Sequence, residues 1–186
     1  MVVRQRYARY SRFALFAECM LTGAWLVVAA LPLVTLLPAF AAACGHLRRY
    51  LDGERAGWRE FAAGVVAATR TGWRWSLAWW AGLGLLAFDW AVAGSGLLPG
   101  ERVMAAVSVV GGSALVVVGL RAAACWPQAP AAVARRAVAS DPGGSMLLLG
   151  GLAVVAVAGW MLLPLAVPAL GCLAGAAVAV ERRIGG

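Results

Sequence analysis

Arginine falls in clusters between long apolar runs. All but one of the sixteen basic residues can be placed on one side of a membrane, provided those runs are paired into hairpins. That partition constrains the fold more than any motif, because positively charged loops concentrate on the cytoplasmic face of a membrane protein. The exception is Arg102. Apolar residues make up 63% of the 186 positions, against roughly 45–50% in a soluble domain. A single globule of this length cannot hide that much apolar surface, so lipid must cover part of it.

The net charge of +8 is spread over interhelical loops and carries no RNA- or DNA-binding motif, so nucleic acid is not an expected partner. Lys and Asn are absent and Ile184 is the lone isoleucine, a bias that points to a GC-rich bacterial genome. Cys19, Cys44, Cys125 and Cys172 form no CxxC pair and fall in apolar segments or at their ends, where a free thiol acts as a small hydrophobe. The apolar stretch from Phe13 to Cys44 far exceeds the roughly 7–15 residues of a signal-peptide core, so cleavage after Ala43 is not expected.

The first block, Phe13 to about Gly45, lies between the roughly 20 residues of one span and the roughly 40 of two. One crossing would set Arg48, Arg49, Arg55, Arg59, Arg70 and Arg74 opposite the N-terminal arginines. Two crossings unite them. Pro32 and Pro38 mark the expected turn, since each lacks a backbone donor. The last block repeats the pattern, with Pro164 and Pro168 as turn candidates and Arg182 and Arg183 returned to the cytoplasm.

The expected fold is therefore all-α: one polytopic membrane helix bundle over 1–186, with about six membrane segments and both termini cytoplasmic. A first helical hairpin occupies 13–50, a central helix pair 75–125, a cytoplasmic connection 126–145 and a final hairpin 146–181. Within 53–74, Trp58, Phe61, Val65 and Thr69 recur at helical spacing, while Arg55, Arg59 and Arg70 lie off that stripe. This reads either as an amphipathic helix on the inner surface or as an inner extension of the next span. Trp73, Trp75, Trp79 and Trp80 suggest a headgroup belt at the inner end of that span. The connection can hold a short helix at 130–139 bearing Arg135 and Arg136, ended by Asp141-Pro142-Gly143-Gly144. Each Pro-broken hairpin is alternatively a re-entrant pair of half-helices with its turn covered by protein.

No catalytic constellation, phosphate loop or metal set is visible, so no cofactor and no enzymatic activity are expected. His46 reads as an interfacial polar residue at a helix end. Ionisable groups at depth are more informative, because charge in lipid is costly. Asp89 should pair with a group such as Arg102 or face a solute path, to which Thr35, Ser108 and Ser113 could add polar groups. Glu18 and Arg121 both lie toward the inner side and are expected to pair. Ala41 and Gly45, and Gly171, Gly175 and Ala179, are spaced by four and form candidate packing faces. Such faces leave homo-oligomerisation open, with nothing else to support it.

Leu31-Pro32-Leu33-Val34-Thr35, Pro38-Ala39, Ala42, Leu47, Gly53-Glu54, Arg59-Glu60-Phe61 and Trp75-Ser76-Leu77 resemble the YesL-like family of bacterial membrane proteins. An LPxxTxxPA-type turn there precedes a helix, a Gly-Glu step and a basic aromatic cytoplasmic segment. After Phe61 the chain departs from the family pattern, since Ala62 to Thr71 is mostly small rather than rich in Phe, Lys and Asn. The resemblance implies a cytoplasmic-membrane protein of unestablished function, associated with carbohydrate uptake and ATP-driven sugar importers, and supplies no catalytic residues. Glu54, Arg55, Trp58, Arg59, Phe61, Arg135 and Arg136 are then candidates for docking an importer subunit. The alternatives are an autonomous small-solute carrier or channel and a membrane scaffold or assembly factor.

Overall fold

The computed structural model describes residues 12–54, 57–95, 100–127 and 141–184. Every regular element in them is helical: α1 (Arg12–Ala29), a 3-10 turn (Leu33–Thr35), α2 (Leu36–Leu51), α3 (Trp58–Ala93), α4 (Glu101–Ala124), α5 (Pro142–Met161) and α6 (Leu163–Ile184). Four helices, α3 to α6, are long and apolar enough to cross a membrane, and α1 is a shorter apolar helix.

Local chemistry sets the boundaries. α1 stops shortly before Pro32, whose ring disfavours helical backbone at Leu31. Pro38 does not lie in the turn; it sits inside the first turn of α2, where a missing N–H costs nothing. α2 closes with Arg48 and Arg49 against its negative end, then with Gly53 at φ 79°, a left-handed cap in which Glu54 N–H reaches Arg49 O at 3.0 Å. The Gly-Glu step is thus a helix stop. At the start of α3, Glu60 Oε2 accepts from Gly57 N–H at 2.9 Å.

Three sequence expectations change. No helix boundary falls at 74/75: positions 58–93 form one helix of 36 residues, roughly 54 Å long, so 58–74 is continuous with the apolar segment that follows it. Asp141-Pro142 opens α5: Asp141 Oδ1 accepts from Gly144 N–H at 2.9 Å, and Pro142 takes the first helical position. Finally, Leu162 alone joins α5 to α6, leaving Pro164 in the first turn of α6 and Pro168 inside that helix. The short helix expected at 130–139 lies outside the described residues.

α2, the shortest helix, is the most buried. It packs against α1, α3, α4 and α6, and Ala39, Ala43 and Cys44 are fully enclosed. α1 crosses α6 where Gly23 meets Val167 and Gly171 meets Cys19, backbone against backbone with no room for a Cβ. The periphery is apolar: Leu85, Phe88, Val107, Val110 and Val154 are all exposed, the pattern of a lipid-facing surface.

Candidate functional site

Charge is concentrated where the ends of α2, α4 and α6 meet the start of α5. Arg121 is fully buried. Its Nη2 donates to Asp141 Oδ2 at 3.2 Å and to Asp141 O at 3.1 Å. Its Nη1 stands 3.5 Å from Glu181 Oε1, close enough for an ion pair but without hydrogen-bond alignment, so Nε, Nη1 and that oxygen have no hydrogen-bond partner. The other Glu181 oxygen accepts from Cys125 Sγ at 3.2 Å. The N-cap bond from Gly144 and then the Arg121 guanidinium hold the Asp141 carboxyl below the usual carboxylate range. Beside this cluster, Arg182 Nη2 donates to Asp52 Oδ1 at 2.9 Å, linking α6 to the end of α2.

Glu18 and Arg121 are not partners. Glu18 Oε1 instead lies 2.7 Å from His46 Nε2, and His46 is completely buried. The His46 ring meets Trp25 edge-on at 5.3 Å and Phe61 at 6.4 Å, in a small aromatic box between α1, α2 and α3. Phe61 is therefore core and not a docking residue. His46 lies near the end of α2, as its neighbours Arg48 and Arg49 suggested, but its carboxylate partner stands on another helix.

The remaining candidates separate. Thr35 Oγ1 donates within its own turn, to Ala29 O and Pro32 O, both at 2.6 Å. That turn is tied to the middle of α3 by Ser76 Oγ on Val34 O at 2.5 Å and Trp80 Nε1 on Leu33 O at 2.8 Å. Asp89 is half-buried nearer the far end of α3, roughly 14–20 Å beyond Ser76–Trp80, and forms no ion pair with Arg102. Thr35 and Asp89 thus share no site. Trp79 is buried and donates to Leu115 O at 2.9 Å, so it and Trp80 clamp helices. Glu54, Trp58 and Arg59 are exposed; Arg55, Arg135 and Arg136 lie outside the described residues. Ala41, Gly171 and Gly175 lie in helix contacts, whereas Gly45 faces open space and Ala179 is exposed.

An apolar groove of about 430 Å³ opens between α1 and α3, lined by Trp25, Val28, Trp58, Phe61 and Val65 among others. Among the described residues no group of three His, Cys, Asp or Glu side chains could hold a metal ion. No family model, curated protein or solved structure matches the chain.

Proposed function

We propose that this is a multi-pass protein of the bacterial cytoplasmic membrane that serves as an accessory component of solute uptake, with carbohydrate as the solute class and an ATP-driven importer subunit as the partner. The solute class and partner rest on the YesL-like resemblance of Leu31 to Leu77. The docking role rests on one observation. Thr35, one of the side chains suited to a solute path, is spent on a local structural bond and shares no site with Asp89, while the inner extension of α3 leaves Trp58, Val66 and Trp73 exposed on the same helix as Arg59. The role is one of binding, with no reaction assigned.

In this reading both termini are cytoplasmic, and α3 to α6 cross fully. α1 and α2 make up the remaining two of the six segments and return to the face they entered. Their turn meets α3 at Ser76–Trp80, which bond two of its carbonyls roughly 20 Å short of the end of α3, and this depth favours a re-entrant hairpin.

Affinity purification from native membranes in mild detergent, with mass spectrometry of co-eluting proteins, tests the proposal. Stoichiometric recovery of an importer ATPase or membrane subunit is expected. A clean preparation without partners overturns it in favour of an autonomous carrier; solute flux in liposomes, sensitive to Asp89→Asn, would then identify the path.

A further inference from the structure

We propose that Glu18 and His46 form a proton-binding site inside the membrane domain, with the proton as its ligand. The inference rests on the membrane reading of α1. The only histidine of the chain is fully enclosed, and its one polar contact is the Glu18 carboxylate at 2.7 Å, whose side chain keeps 19% of its surface exposed. The buried ring therefore meets the surface of the bundle through a carboxylate side chain.

The balance is simple. In the proton-free pair, neutral His46 donates Nε2–H to the Glu18 carboxylate, Nδ1 carries a bare lone pair, and the net charge is −1. One proton forms the Nδ1–H bond and makes the pair neutral overall, with no other bond broken. His46 Nδ1 has no hydrogen-bond partner, and neither has the buried hydroxyl of Thr22. Thr22 follows Glu18 by four residues and shares its face of α1, so an acceptor lies on the correct helix face for the new N–H.

Among the described residues few other charges face the pair; the Cys19 thiol stands next to Glu18 on α1, with Cys172 of α6 near it. α3 presents the Phe61 ring, and its nearby Arg59 and Glu60 point outward. On α2 itself Arg48 and Arg49 follow. From α6, Arg182 is held by Asp52, and Glu181 is engaged with Arg121 of α4 and with Cys125, while Asp141 completes that separate cluster. Among the described residues Glu18 is thus the ionisable group in direct contact with His46.

The single histidine makes the test direct. Full-length protein labelled with 15N-histidine is reconstituted in nanodiscs of zwitterionic lipid and followed by NMR from about pH 5 to about pH 9. The expected result is one reversible transition in which Nδ1 passes from bare to protonated, with a midpoint that Glu18→Gln moves by about one pH unit or more. Infrared difference spectra of the wild type with 13C-labelled glutamate give a second readout that needs no variant: the carboxylate band should shift together with the imidazole transition. Nitrogen resonances that do not change over the range overturn the proposal, as does a transition that neither Glu18→Gln nor the carboxylate band follows. Failure to insert into the bilayer, shown by alkaline extraction, would instead count against the membrane reading.

Discussion

Single atoms decide several contacts. Trp79 reaches Leu115 O only because Gly119 leaves the space its ring occupies; a Cβ there would fall on the indole nitrogen and its neighbours. Gly119→Ala should therefore act as an overpacking change, lowering stability by about 1–3 kcal/mol in a thermal or denaturant unfolding series in detergent. Gly45→Ala should do the opposite. Nothing lies within 4 Å of its added methyl, so the better helix propensity of alanine should raise stability by roughly 0.5–1 kcal/mol. Spacing by four placed Ala41–Gly45 and Gly171–Gly175–Ala179 on common faces, but it does not say which glycine meets a neighbour. Gly23 and Gly119, both of which do, stand outside those patterns. Asp141 adds a pH dependence of known sign. Its carboxyl titrates lower in the folded chain than in the unfolded one, so its contribution is complete above about pH 4 and is lost as pH falls below that. Asp141→Asn should flatten the acid limb of a stability–pH curve and leave the neutral region with a smaller, constant loss from the weakened cap.

At the scale of elements, Arg121 ties three helices at one end of the bundle. Breaking a buried pair by removing one partner costs about 3–5 kcal/mol. Asp141 and Glu181 keep 31% and 14% of their side-chain surface exposed, so both carboxylates retain some water and the low end of that range applies. Arg121→Met alone should be destabilising by about 3 kcal/mol, and combining it with Glu181→Gln should recover part of the loss, because the stranded carboxylate is then neutral. Additive losses in that double-mutant cycle would show that Arg121 and Glu181 do not act as a pair. The sequence located Arg121 near an inner helix end but gave no means of choosing its partners, which come from residues 20 and 60 positions away. Prolines were misplaced for a related reason. Pro38 and Pro168 are compatible with helix, one in a first turn and one at an interior bend, so the turns fall beside Pro32 and at Leu162 instead.

For the molecule as a whole, the long apolar segments were legible because lipid imposes length and hydropathy on each one separately. The central position of α2 was not. It carries Arg48 and Arg49 and is shorter than a full span, features that suggest a periphery, yet its alanine-rich face lets four helices close around it. Orientation depends on charge summed over the loops. With Arg102 as the one basic residue assigned outside, topology reporters fused after Gly94 and at Leu162 should report the external face, and reporters at Asp52 and after Ile184 the cytoplasm. The α1–α2 turn gives the sharpest reading of the architecture. A full crossing would carry Leu33 to the external face, whereas a re-entrant hairpin would leave it beside Ser76 and Trp80, within the apolar layer and away from water on both sides. A cysteine at position 33, in a background whose four native cysteines are replaced by alanine or serine, should therefore resist a membrane-impermeant maleimide applied from either face. Labelling from outside at the rate of a cysteine placed at Leu162 would establish two full crossings instead.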